Sequence, residues 1–110
     1  MSYQSPPTEF VRYWYWEIWD FIPRVRAAYN WCPFYVSSWW RDEATNRAVG
    51  GDPFSQHLIG LAIDAIPVPP RTTEQLAAAF RASGLIAVVY ARHVHAQLYP
   101  AGFLERWLSS

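Results

Sequence analysis

The sequence predicts a small α+β domain in which helices flank an antiparallel sheet. Its 110 residues suit one independent hydrophobic core, so the whole chain, 1–110, is expected to form a single domain. Apolar residues at helical spacing and an alanine-rich segment predict helices near the start of the chain and in its second half. Short runs of β-branched and aromatic residues, bounded by proline or glycine, predict the strands.

The segment 1–30 is predicted to be an aromatic helical segment that packs on the rest of the domain. Thr8 follows two prolines and is suited to cap a helix over 9–21, in which apolar residues recur every four positions. Pro23 is expected to interrupt or restart this helix, and a second short helix is predicted over 23–29.

Aromatic residues surround the first predicted helix on nearly every side instead of following one stripe. A helix that is apolar all round must be enclosed. Two arrangements stay open at this point. Either the rest of the domain wraps the helix, or a second copy of the chain covers it in a homo-oligomer.

The middle of the chain is predicted to supply two strands. Residues 34–36 are good strand formers, and the apolar run 61–66 forms a second strand that ends at Pro67. Between them, the polar stretch 42–54 indicates a short turn of helix followed by a loop.

The second half of the chain contains the clearest helix, over 72–84. A threonine cap, an early glutamate, an alanine-rich body and a terminal glycine all agree on it. We expect this helix to cover the sheet. Strands are predicted over 86–90 and 94–98, and a closing turn or helix over 103–108.

The composition excludes several function classes. Nine basic and nine acidic residues give no formal net charge, and the arginines are scattered, so no stripe for nucleic acid is present. No apolar run approaches the length of a membrane span, and the N-terminus lacks a signal-peptide pattern, so we expect cytoplasmic synthesis and no membrane partner. Cys32 is the single cysteine and is expected to be a buried apolar residue.

The strongest functional signal is a set of metal-ligand residue types. His57 and Asp64 stand in one short segment, and His93 and His95 follow about thirty residues later. Two histidines and an aspartate fill three corners of a zinc tetrahedron and leave the fourth for water. Because His57 and Asp64 are an odd number of residues apart, both reach one metal only if the chain bends, for example at Gly60.

These residues belong to a longer ordered pattern, S-x-x-R, N, G-G, S-x-H-x-x-G-x-A-x-D and a late H-x-H. The residues that carry it are Ser38, Arg41, Asn46, Gly50, Gly51, Ser55, His57, Gly60, Ala62, Asp64, His93 and His95. The pattern resembles that of the zinc D-alanyl-D-alanine carboxypeptidases, a metallopeptidase family that includes bacteriophage peptidoglycan peptidases. The resemblance covers residues 38–64 and 93–95.

The resemblance implies Zn²⁺-dependent hydrolysis of peptide bonds in peptidoglycan stem peptides, with the zinc on one face of the sheet. It implies that His57, Asp64 and His95 hold the metal and that His93 is the general base or acid. Exchange of the roles of His93 and His95 stays open. Arg41 is implied to bind a substrate carboxylate or the developing oxyanion, and so is both a catalytic and a substrate-binding candidate.

Ser55 and Gln56 are further candidates for binding substrate. Ser55 could form a hydrogen bond with the substrate, and Gln56 could contact the oxyanion that develops during the reaction. The alternative for both is that they order their loop. Carboxypeptidase action on D-Ala-D-Ala termini and endopeptidase action within the stem peptide are both compatible with the resemblance.

A rival interpretation keeps the fold and the metal without catalysis, in a phage structural or assembly protein or a module that binds wall peptides. The resemblance also implies a route to the cell wall, as an endolysin in a phage-infected cell or as a protein carried on a virion.

Overall fold

The computed structural model, which describes residues 3–110, contains five α-helices and four strands in this part of the chain. In chain order they are α1 (Thr8–Tyr13), α2 (Tyr15–Trp31), β1 (Phe34–Ser38), α3 (Glu43–Ala48), β2 (Ala62–Pro67), α4 (Thr73–Ala82), β3 (Ile86–Val89), β4 (Val94–Gln97) and α5 (Phe103–Leu108). A 3₁₀ turn covers Gln56–Ile59. The predicted α+β class, with an antiparallel sheet flanked by helices, is confirmed.

The four strands form one sheet in the order β1-β2-β4-β3, and every neighbouring pair is antiparallel. The central pair, β2 and β4, places Asp64 directly opposite His95. On the other side of β4, Val88 of β3 is the partner of His95. The register therefore aligns two of the predicted ligands in one row across the sheet, although they are far apart in sequence.

Helix α4 covers the sheet, as predicted. Its Leu76 and Phe80 are completely buried, together with Phe21 of α2 and Val94 of β4. The helix begins with a reciprocal capping box, in which Thr72 Oγ1 accepts a hydrogen bond from the Gln75 amide and Gln75 Oε1 accepts one from the Thr72 amide.

The N-terminal helical segment breaks at a different residue from the one predicted. Pro7 takes the cap position and Thr8 is already helical, so the predicted cap is one residue too late. The helix then stops at Trp14, whose φ of −101° and ψ of 31° separate α1 from α2. Trp14 is buried and packs edge-on against Trp107, with ring centroids 5.4 Å apart. Tertiary packing of this indole accompanies the break, which local sequence signals did not indicate.

Helix α2 continues through Pro23, where the sequence predicted an interruption. Proline removes the amide that would bond to the carbonyl of Trp19, four residues earlier. Both residues lie on the exposed side of the helix, so water can satisfy that carbonyl.

No helix within residues 3–110 has both the length and the apolar character needed to cross a membrane.

Helix α2 has one buried face and one exposed aromatic face. Ile18, Phe21 and Ala28 are buried, whereas Trp16 is 80% exposed and Trp31 76% exposed. Of the two arrangements that the sequence left open, wrapping by the rest of the domain does not extend to this face. Coverage of the exposed face by a second copy of the chain stays a prediction.

Candidate metal centre

His57 lies on the 3₁₀ turn Gln56–Ile59, and the residues at both ends of that turn explain its shape. Ser55 caps the turn, because its Oγ accepts a hydrogen bond of 3.1 Å from the His57 amide. Gly60 ends it in the left-handed region, with a φ of 78°, where residues other than glycine are strained. The bend that the sequence required between His57 and Asp64 is therefore present, at the glycine expected to supply it.

Two indoles hold this turn from outside. Trp39 Nε1 donates to the carbonyl of Gly60 at 2.8 Å, and Trp40 Nε1 donates to the carbonyl of Leu58 at 2.9 Å. Buried backbone carbonyls need such partners. Sequence reasoning missed this role, because the pattern of residues does not reveal that the end of β1 lies against the turn.

His57, Asp64 and His95 form a group whose candidate ligand atoms all lie within 4.8 Å of one another. Asp64 Oδ1 is 3.3 Å from His57 Nε2 and 3.1 Å from His95 Nδ1. His57 is 1% exposed and Asp64 8% exposed. The structure thus brings together the three residues that were expected to hold a metal.

Hydrogen bonds behind the two imidazoles determine which nitrogen of each ring faces the group. His57 Nδ1 lies 2.5 Å from the carbonyl oxygen of Trp39, which can only accept, so Nδ1 carries the hydrogen. His95 Nε2 lies 2.7 Å from Gln97 Oε1, which again makes the ring nitrogen the donor. In the neutral rings, His57 Nε2 and His95 Nδ1 therefore present lone pairs to the carboxylate between them.

This arrangement fits a metal ion. His57 Nε2 is buried and has no hydrogen-bond partner among residues 3–110. Two imidazole lone pairs that face a carboxylate oxygen in a buried site are costly unless a cation lies among them. Two imidazoles and one carboxylate are a ligand set that suits zinc and leaves one tetrahedral position free.

The carboxyl of Asp64 is held in its charged form by its two histidine neighbours. Burial of Asp64 disfavours that form, but the effect of the neighbouring His57 and His95 outweighs burial. They hold the pKa of the Asp64 carboxyl well below its usual range. Asp64 is consequently an anion, as a metal ligand must be.

Arg41 binds the second oxygen of Asp64. Its Nη2 is 2.7 Å from Asp64 Oδ2, its Nε donates to Ser38 Oγ at 3.1 Å, and its Nη1 is 3.4 Å from Asn46 Oδ1. The guanidinium therefore orients the carboxylate, a role that sequence reasoning did not assign to it. Arg41 also lines the cavity at this site, and its contact with substrate stays a prediction.

His93 lies just before β4 and lines the same cavity of about 490 Å³ as His95. The Tyr90 amide donates to the His93 carbonyl at 2.9 Å, and the two rings are stacked with centroids 4.8 Å apart. His93 is not a member of the close ligand group, which contains His95 instead. The geometry thus favours His95 as the ligand, and the role of His93 in proton transfer stays a prediction.

Gln56 and Ser55 differ in their freedom to meet a substrate. Gln56 is 3% exposed, its Nε2 donates to the Tyr99 carbonyl at 2.6 Å, and its Oε1 accepts from the Tyr99 amide at 3.0 Å. Gln56 therefore orders its loop, and because it also lines the cavity, its contact with an oxyanion stays a prediction. Ser55 Oγ accepts from the His57 amide and keeps its hydroxyl hydrogen for a substrate contact, which stays a prediction.

Asn46 and Gly51 shape the loop beside the cavity. Asn46 is buried, and its Nδ2 donates to the Asp52 carbonyl at 2.8 Å. A Cβ at Gly51 would collide with Asn46 Oδ1, so this close approach requires glycine.

Comparison with known proteins places these residues in a wider context. The sequence profile of a family described as Peptidase M15 matches residues 5–97. The crystal structure of the Serratia marcescens L-Ala D-Glu endopeptidase ChiX is similar, with a TM-score of 0.57 and 25% identity over 73% of this chain and 78% of that chain. No curated protein matches the sequence significantly. The matched region contains the complete ligand group and His93.

Proposed function

The chain belongs to the M15 peptidase family, and on that basis we propose that it is a zinc-dependent endopeptidase that cleaves the stem peptides of peptidoglycan. The observation that carries the proposal is the buried convergence of His57, Asp64 and His95 at the wall of an open cavity. The similarity to ChiX, an L-Ala D-Glu endopeptidase, supports the substrate class.

The three ligands are held in the form that zinc requires. When bound, zinc supplies a Lewis acid that polarises the scissile carbonyl and lowers the pKa of water. The carbonyl of Trp39 keeps His57 Nε2 free of a proton, and Gln97 does the same for His95 Nδ1. Arg41 fixes the carboxylate of Asp64, so the ligands are oriented before metal binds.

His93 is the proton carrier in this proposal. It takes a proton as the oxygen of water bonds to the carbonyl carbon, and it delivers that proton to the nitrogen as the C–N bond breaks. Its stacking on Tyr90 keeps the ring toward the cavity. Because water is the nucleophile, no side chain of the enzyme becomes acylated.

The charges around the cavity favour an endopeptidase over a carboxypeptidase. A carboxypeptidase needs a cation that can bind the C-terminal carboxylate of its substrate. Arg41 is the only arginine that lines the cavity within the described chain, and its charge is already compensated by Asp64. Asp52 and Glu105 add negative charge to the lining. An uncharged internal peptide bond suits this cavity better than a free carboxylate does.

Digestion of purified peptidoglycan tests the proposal. The zinc-loaded protein, the chelated protein and an Asp64→Asn variant are incubated with the same substrate, and the fragments are identified by mass spectrometry. We expect a new amino terminus within the stem peptide from the zinc-loaded protein alone. Release of terminal D-Ala alone would identify a carboxypeptidase, and stoichiometric zinc without cleavage would support a non-catalytic binding or assembly module.

A further inference from the structure

Two glutamine side chains meet at one backbone carbonyl beside the metal centre. Gln56 Nε2 donates to the oxygen of Tyr99 at 2.6 Å, and Gln97 Nε2 donates to the same oxygen at 2.8 Å. The Tyr99 amide donates to Gln56 Oε1 at 3.0 Å. A carbonyl oxygen has two lone pairs, so the two glutamines fully occupy it.

This arrangement determines which way the Gln97 amide points. If the amide were flipped, its oxygen would face the Tyr99 carbonyl, and two acceptors would oppose each other. Gln97 Oε1 is therefore directed at His95 Nε2, 2.7 Å away. It can only accept, so the hydrogen of the neutral His95 ring is on Nε2 and the lone pair is on Nδ1, which faces Asp64 at 3.1 Å.

The same carbonyl joins the two chain segments that supply the histidines. Gln56 directly precedes His57 in the 3₁₀ turn, and Gln97 ends β4, the strand of His95. Gln56 holds Tyr99 through both of its backbone groups. The orientation of Gln97 thus depends on the Tyr99 carbonyl, and Gln56 holds that carbonyl next to the turn that contains His57.

We infer that Gln97 is a positioning residue for the metal centre, which fixes the tautomer and the ring orientation of His95 and is itself held by the Tyr99 carbonyl and Gln56. The inference rests on the metal site of the proposed function. Outer partners of metal-binding histidines commonly contribute about 10- to 100-fold to metal affinity.

Zinc affinity tests this role without an activity assay. Competition with a chromophoric chelator is measured for the wild type, Gln97→Met and Gln97→Glu. We expect Gln97→Met to bind zinc about 10- to 100-fold more weakly. Gln97→Glu keeps an acceptor oxygen for His95 but sets its other oxygen against the Tyr99 carbonyl, so we expect a smaller loss of affinity than in Gln97→Met.

The ring nitrogens give a second measurement. Long-range ¹H–¹⁵N spectra of the metal-free protein, at a pH where the rings are neutral, show which nitrogen carries the hydrogen. We expect a single Nε2–H form of His95 in the wild type and a mixture of both tautomers in Gln97→Met. Gln75→Met is the matched control, since Gln75 also makes two hydrogen bonds but in the cap of α4. It should lower the melting temperature and leave zinc affinity unchanged.

Wild-type zinc affinity and an unchanged tautomer in Gln97→Met would overturn the inference. Equal losses in Gln97→Met and Gln97→Glu would also overturn it, because they would show that Gln97 only supports the fold. A wild type that binds zinc but cleaves nothing would refute the proposed function and leave the positioning role intact, whereas a wild type that binds no zinc would refute both.

Discussion

Asp64 divides its two carboxylate oxygens between Arg41 and the histidine pair. Arg41 Nη2 lies 2.7 Å from Oδ2, and Oδ1 lies within 3.3 Å of both imidazoles. Asp64 therefore joins the proposed ligand group to the guanidinium of Arg41, which is not a member of that group. Substitution of Arg41 should therefore lower zinc affinity. The sequence pattern implied only a role in binding substrate or the developing oxyanion for this residue.

Arg41→Gln should weaken zinc binding by about 10- to 100-fold, because the carboxylate of Asp64 loses the group that orients it. Arg41→Lys keeps the charge but cannot make the three hydrogen bonds of the guanidinium, so it should fall between the wild type and Arg41→Gln. Chelator competition measures all three proteins. If Arg41→Gln binds zinc normally and loses only substrate affinity, the arginine serves the substrate alone.

His93→Ala should bind zinc as the wild type does but lose about 10²- to 10⁴-fold in turnover, because the ring lines the cavity, lies outside the ligand group and is the proposed proton carrier. The paired variant His95→Ala should lose the metal itself. Zinc content by atomic absorption, together with peptidoglycan digestion, separates the two effects. The opposite pattern, with zinc lost in His93→Ala and kept in His95→Ala, would exchange the roles of the two histidines.

Removal of zinc should destabilise the fold. A ligand that binds only the native state at 100 times its Kd adds about 2.7 kcal/mol to the free energy of unfolding. Thermal unfolding with and without a chelator measures this difference. Asp64→Asn is similar in shape but removes the negative charge, so it should abolish the effect of the chelator. An equal effect of the chelator on Asp64→Asn would place the stabilising metal elsewhere.

Cys32 should resist alkylation in the native protein. The residue is 2% exposed, and burial raises the pKa of its thiol, so less reactive thiolate is present at a given pH. We expect iodoacetamide at pH 8 to label the folded protein at least about tenfold more slowly than the urea-unfolded protein. Mass spectrometry of timed samples gives both rates, and equal rates would show that the end of α2 opens readily.

Local signals were sufficient for much of the fold. The helix α4 has a capping box, an alanine-rich body and a terminal glycine, and each acts within a few residues of the chain. The break at Trp14 was missed, and it is accompanied by packing of the indole against Trp107, which no local pattern encodes. The predicted interruption at Pro23 was wrong for a similar reason. The free-energy cost of a proline inside a helix depends on whether water reaches the carbonyl that the proline leaves unpaired.

In the candidate site, too, some residues could be identified from the sequence and others could not. His57, Asp64 and His95 could be named from the sequence because metal ligands are restricted to a few residue types, and because the order of these residues resembles a known family pattern. The residues that orient them could not be selected, since a glutamine such as Gln97 has no distinctive spacing. For Gln56 the sequence left substrate binding and loop ordering open, because its partner, the backbone of Tyr99, lies more than forty residues later in the chain.

The ligand group also has a bearing on how this chain stays folded without a disulfide. His57 and His95 are nearly forty residues apart in sequence, and Asp64 lies on a third segment between them. An ion bound to all three would act as a removable cross-link, closing two loops and reducing the entropy of the unfolded chain. The same ion would then serve both the proposed catalysis and the stability of the fold.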